Sequence, residues 1–431
     1  MPRVGRERLA ARRRALGLSQ EELAHRLGVE RSTVGRWEQA TSTPRPQQRR
    51  PLAALLELSL DQLDALLADV DRPAAPLGAP VIAAAWTQRT AGTLADAILS
   101  GHDQPITPAA APRLVHEWLV VEPPQKVELR AGRRVGASLA SQAARRVDQL
   151  RHLDDVIAGA DLQGIVEREL AATAGVVRHG TYSDAVGRRL LATLGDLCQL
   201  AGWAAADAGM GRLAMHYYAT GIASAHAAGD KALAGQLITT LAYQLANTGR
   251  ARDAVLLAQS AVAGCHGQAT GTTMALLLER LAWAYARSKD RPHTERMLGE
   301  VDDHYANRNP ADDPQWAYWL TSEEVDVMAG RCFVELKQPH RAMPLLERAL
   351  SAYDDDRPRE AALYLSWLAE ARYQAGDIEG AANLGCDVLD LVSHTASTRS
   401  SDRARHLQHL LRPHRGLPAV DEFQDRYRAA V

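Results

Sequence analysis

The sequence predicts an all-α protein: an N-terminal bundle of five short helices followed by a helical solenoid. Three observations predict it. A capped helix, a glycine turn and a second short helix fall in register between Ser19 and Glu38. From Ala79 onward the apolar periodicity is helical almost everywhere. Within that stretch, a turn followed five residues later by a small residue recurs five times.

The first helix is expected over residues 5–17, with Leu9, Ala10 and Leu16 on one side and arginines around the rest. Ser19 stands at an N-cap and Glu22 three residues later, the pair of a capping box. Leu23, Ala24 and Leu27 form the buried stripe of a short second helix, and Gly28 follows where the chain must turn. A third helix runs from about Arg31 to Gln39 and buries Val34 and Trp37. Two short helices joined by a tight glycine turn make a helix-turn-helix, and the small Ala24 lets them cross closely. The loop QATSTPRPQQRR offers Arg45, Arg49 and Arg50 as phosphate contacts. Leu52, Leu55 and Leu56 mark a fourth helix. A fifth is capped by Ser59 with Gln62 and carries Leu60, Leu63, Leu66 and Leu67.

SQEELAHRLGVERSTVGRWE resembles the DNA-binding domain of phage-repressor-type, or XRE-family, transcription regulators. The resemblance implies that the third helix enters the major groove, with Arg31, Ser32 and Thr33 at base-reading positions and Arg36 one turn on. It also implies that Gln20 anchors to a backbone phosphate. The chemistry suits these roles: Arg bridges guanine O6 and N7, while Ser and Thr bond a base edge or touch a thymine methyl. Arg36 fits a base or a phosphate equally. Glu30 stands where that family often has a small hydroxyl residue; a carboxylate suits the helix dipole but repels a nearby phosphate.

Domain boundaries follow composition. Residues 1–70 form the head, DRPAAPLGAP at 71–80 is a Pro/Ala/Gly linker, and 135–431 form the repeat body. The connecting region 81–134 is mixed, with HEWLVVEPP read as possible extended chain. In the body, turns at Gly209, Gly249, Lys289, Lys337 and Gly376 precede Ala214, Ala254, Thr294, Ala342 and Ala381. Gly202, Ala242, Ala282, Gly330 and Ala369 lie twelve residues before those positions. This resembles the tetratricopeptide repeat, at a period nearer 40 than that family's usual 34. Aligning the repeats puts Gln199, Trp203, Gln236, Tyr243 and Asn247 on the concave face, with Glu279, Trp283, Arg287 and Arg331 at equivalent positions. Polar groups among aromatics suit a peptide or a compact amphipathic ligand; packing between repeats is the alternative use for the same residues.

At 431 residues the chain exceeds one ordinary domain, and its 46% apolar and 24% charged residues are globular composition. No run of eighteen apolar residues is present, and the basic start lacks a signal peptide's apolar segment. The four cysteines lie far apart, as expected of buried thiols in a reducing cytoplasm. The net charge of −2 is a cancellation: residues 1–50 hold twelve Arg against five Glu, +7, leaving −9 for the rest. No phosphate-cradling glycine loop, dinucleotide fingerprint or metalloprotease motif occurs, and His406 and His409 lack a third metal ligand. No enzyme activity, cofactor or metal is therefore expected.

The expected function is a cytoplasmic, sequence-specific transcription regulator on double-stranded operator DNA. One short reading helix contacts few phosphates, so a homodimer on two half-sites is expected, with the body as the larger dimer surface. The architecture resembles regulators whose tetratricopeptide domain binds a signalling peptide, which implies a peptide or small-molecule effector. The competing expectation is a protein–protein adaptor whose head is a tether or remnant.

Overall fold

The structure, a computed structural model, describes residues 9, 12–13, 18–38, 42–56, 63, 67, 82–101, 106–155, 159–352, 358–392 and 398–430. The chain divides into two compact units, residues 1–77 and 78–431. The 71–80 linker and most of the first and fifth helices expected in the head lie outside the described residues.

The first unit contains α1 (Gln20–Leu27), α2 (Arg31–Glu38) and α3 (Pro46–Leu55). Ser19 Oγ accepts the Glu22 N–H at 3.1 Å and Glu22 returns the bond to the Ser19 N–H at 2.7 Å, which closes the capping box. Gly28 turns at φ 63°, and the Val29 N–H reaches back to the Ala24 carbonyl at 3.0 Å. Leu23, Val34, Trp37, Leu52, Leu56 and Leu63 are buried together. Each contributes about 1.5–3 kcal/mol of burial, so this small unit rests on few side chains. Arg49 and Arg50 lie within α3 and not in a loop as the sequence reading had them. Pro46 at the first helical position, with Gln48 accepting the Arg45 N–H at 2.9 Å, starts the helix well before Leu52.

The second unit is mainly helical; its described strands are a two-residue parallel ribbon, β1 (Arg133–Arg134) with β2 (Gly180–Thr181), within the non-helical stretch 121–136 and its partner segment. It begins with α4 (Gln88–Leu99) and α5 (Ala111–Val120). HEWLV, residues 116–120, is therefore helix, and only VEPP at 121–124 is not. Ala111, Leu114, Val115 and Trp118 repeat at helical spacing and are buried, and the chain becomes extended only at Val121, ahead of Pro123. Next come α6 (Ala137–Asp154) and α7 (Gly159–His179), on which α4 packs.

Six antiparallel helix pairs then follow: α8 (Asp184–Asp207) with α9 (Gly211–Ala228), α10 (Lys231–Asn247) with α11 (Ala251–Cys265), and α12 (Gly271–Arg287) with α13 (Arg291–Ala306). After these stand α14 (Ser322–Glu335) with α15 (Pro339–Ser351), α16 (Pro358–Gln374) with α17 (Ile378–Val392), and α18 (Thr398–Leu411) with α19 (Pro418–Ala430). The first helices of successive pairs touch one another in order, forming one layer. Five intra-pair turns are built alike. Gly209, Gly249, Lys289, Lys337 and Gly376 all have positive φ, and the next residue's N–H bonds a carbonyl five residues back. The small residues expected at the crossings are all buried; at Gly202 a Cβ would run into the Tyr218 ring.

The longer spacing between the third and fourth pairs comes from residues 307–321, which hold two 3-10 turns, Pro310–Asp312 and Gln315–Ala317. The early and late parts of this unit also meet. Arg359 Nη2 donates to the Asp154 carbonyl at 2.8 Å across 205 residues of sequence, and Arg399 Nε to Asp207 Oδ1 at 2.8 Å across 192. All four cysteines are buried free thiols. Among the described residues no helix is long and apolar enough to cross a membrane.

Candidate functional site: a nucleic-acid interface and an internal cavity

In the head, α2 turns Val34 and Trp37 inward and leaves Arg31, Ser32 and Arg36 exposed, with Thr33 half-buried. That split follows from helical periodicity, since the buried pair lies three residues apart and the exposed set falls on the other side. Arg36 Nη2 donates to Thr33 Oγ1 at 3.1 Å, and Ser32 Oγ donates to Glu30 Oε2 at 3.1 Å. Glu30 thus engages its own helix start. Arg45 and Arg50 are exposed, whereas Arg49 is half-buried and bonds the Pro44 carbonyl.

Gln20 is held differently. Its Nε2 donates to Glu38 Oε2 at 2.6 Å, and Arg13 clamps the same carboxylate with Nε at 2.7 Å and Nη2 at 3.2 Å. Arg13 also donates to the Leu18 carbonyl, so one buried acid ties the end of α2 to the start of α1. The second hydrogen of the Gln20 amide remains for another acceptor. Sequence reasoning missed Glu38, which reads as an ordinary charged helix terminus.

The second unit encloses a cavity with about 1200 Å³ of space unoccupied by protein atoms, mouth included. Its wall is the layer of first helices from α8 to α18, joined by the end of α6 and the 307–321 insertion. Five residues expected on the concave face line it: Gln199, Trp203, Gln236, Tyr243 and Arg331. The other four do not. Asn247 Oδ1 accepts from Trp283 Nε1 at 3.0 Å, a bond between α10 and α12. Arg287 pairs with Glu335 at 2.9 Å. Glu279 is 1% exposed with neither carboxylate oxygen hydrogen-bonded, and burial pushes its acid well above the usual carboxylate range.

The cavity is rich in arginine and aromatic side chains. Three arginines are paired: Arg151 with Asp196 at 3.3 Å, Arg399 with Asp207 at 2.8 Å, and Arg359 with Asp154 at 3.5 Å, Asp207 at 3.6 Å and Glu360 at 3.1 Å. Burial raises the Asp154 carboxyl to about 6 despite Arg359 and Arg399. The Tyr243 ring has Arg280 over one side at 4.3 Å, while Arg331 Nη2 donates to its hydroxyl at 2.7 Å. Burial pushes this phenol up, but Arg331, Arg280 and Arg399 outweigh it and bring Tyr243 down to about 7.

Trp316, Tyr318 and Trp319 of the insertion complete the aromatic wall, and Tyr318 bonds Asp155 at 2.7 Å. The sequence reading missed all three, although the lengthened spacing marked the insertion that holds them. It also missed Arg280, Arg359 and Arg399, whose meaning depends on partners far away in sequence.

The sequence profile of the helix-turn-helix family matches residues 9–63. That match spans the unit just described around α1 and α2, and the head is a helix-turn-helix of the DNA-binding type. No curated protein matches the chain.

Proposed function

We propose that the protein is a sequence-specific transcription regulator whose head binds operator DNA and whose body, a tetratricopeptide-like repeat, senses an effector in the internal cavity. The observation that carries the DNA reading is the exposed polar face of α2, with Arg31, Ser32 and Arg36 set on a core fixed by Val34 and Trp37. In this reading Arg31, Ser32 and Thr33 meet base edges, and Arg36 a base or a phosphate. Arg45, Arg50 and the second amide hydrogen of Gln20 meet phosphate. A homodimer supplies two such heads, through a surface on the body, and the protein acts in the cytoplasm where its operator is reached.

The effector reading rests on a cavity whose wall comes from most of the repeats, so that occupancy bears on the arrangement of the whole body. Purified full-length protein should bind the DNA upstream of its own coding region, with affinity falling steeply as salt rises. Folded protein that fails to retard this DNA at low salt would overturn the regulator reading.

A further inference from the structure

Arg280 is anomalous among the buried cations of the body. It is 5% exposed and lines the cavity, yet no carboxylate stands within ion-pair distance of it among the described residues. Its Nη1 is buried without a hydrogen-bond partner. The neighbouring Glu279 makes no ion pair with it: both of its carboxylate oxygens lack a hydrogen-bond partner, and burial pushes this acid well above the usual carboxylate range. Arg331, also 5% exposed, is in the same position: its Nε lacks a partner and its contacts are Tyr243, Met328 and the faces of Trp283 and Trp367. The other cavity arginines are each neutralised by an acid of the chain. An uncompensated buried guanidinium is costly, and here two of them flank one tyrosine.

We propose that Arg280 and Arg331 are the receptor for the charged head of an organic oxyanion, a carboxylate or a phosphate ester carried on a flat apolar body. This rests on the reading of the cavity as an effector site and names the class of effector. Guanidinium groups bind oxyanions through directed N–H bonds, and both arginines retain unused donors. The ligand's body meets Trp203, Trp316 and Trp319. Arg331, Arg280 and Arg399 bring the Tyr243 phenol down to about 7, so the tyrosinate supplies part of the negative charge these arginines lack. An arriving anion replaces that charge, and Tyr243 takes up a proton.

The test uses full-length protein and three probes: 2-naphthoate, the neutral isostere 2-naphthamide, and 2-naphthyl phosphate. Calorimetry should show at least one anion binding ten-fold or more tighter than the amide, and which one distinguishes carboxylate from phosphate. Binding should lower the tyrosinate absorbance. Arg280→Gln and Arg331→Gln should each abolish the preference for the anion. Arg280→Met should in addition raise the melting temperature of the ligand-free protein, because it removes an unpaired charge.

Equal binding of anion and amide, no binding of either anion, or a preference that survives Arg280→Gln would overturn the proposal. So would a marked fall in melting temperature for Arg280→Met, which would make Arg280 a structural cation satisfied by Tyr243. Operator affinity measured with and without the bound anion reports separately on regulation. Anion binding that leaves DNA affinity unchanged would sink the sensor reading and leave the receptor standing.

Discussion

In the proposed reading, single side chains carry the recognition chemistry of both the head and the body. Arg31→Ala should relax preference at one base pair and cost about 1–3 kcal/mol there, read from affinities for a panel of operator variants. An unchanged base preference would remove Arg31 from the reading set. Arg50→Ala should weaken all sequences alike and lower the salt slope by about one. Tyr243 makes a pH prediction. Its folded value of about 7 lies below the ordinary phenol near 10, so the unfolded chain binds more protons between those limits. Stability from this group therefore grows as pH rises from about 7 to 10, and is lost as pH falls through about 7. Tyr243→Phe should abolish both that rise and the tyrosinate absorbance near neutrality; a rise that persists would assign it to another group.

The turns within the helix pairs are where the element scale tests most directly. Lys289 and Lys337 occupy the left-handed position that glycine fills at residues 209, 249 and 376. A Cβ is strained there, and Lys337 offsets it with only a 3.8 Å approach to Glu370. Lys337→Gly should therefore stabilise the body by about 0.5–1 kcal/mol in urea titration, and Gly249→Ala should cost a similar amount. A destabilised Lys337→Gly would show that the side chain matters more than the backbone.

These turns were legible in the sequence because their signal is local, as were the capping box at Ser19 and the turn at Gly28. HEWLV was harder, since β-branched and aromatic residues suit a strand and only the buried spacing from Ala111 to Trp118 reveals the helix. The cavity was half legible. Gln199, Trp203, Gln236, Tyr243 and Arg331 recur at repeat spacing, but a period cannot say which equivalent positions are filled by neighbouring helices. Asn247 and Trp283 satisfy each other, and Arg280, one position from Glu279, takes the place on the cavity wall.

At the scale of the whole molecule, the contact between early and late body helices changes how the array should respond to stress. Stacked repeats normally interact only with their neighbours, so their outer units fray and unfolding spreads inward. Here Asp207, fully buried, holds both Arg359 and Arg399, which joins α8 to α16 and α18. Asp207→Asn should leave the half-buried Arg399 without its acid and take one of three acids from the buried Arg359, at a cost of about 3 kcal/mol. It should also split a single urea transition of the body into two. One transition of unchanged slope would show that the ring of contacts carries no cooperativity.

The same clasp bears on lifetime. A helical stack sealed across its own interior must break long-range ion pairs before any terminal pair can peel away, so opening is a concerted and slow event. Whatever lies inside when the clasp forms leaves only as fast as the clasp opens. Residence time, more than affinity, would then set how long the bound state of the protein persists after its stimulus has gone.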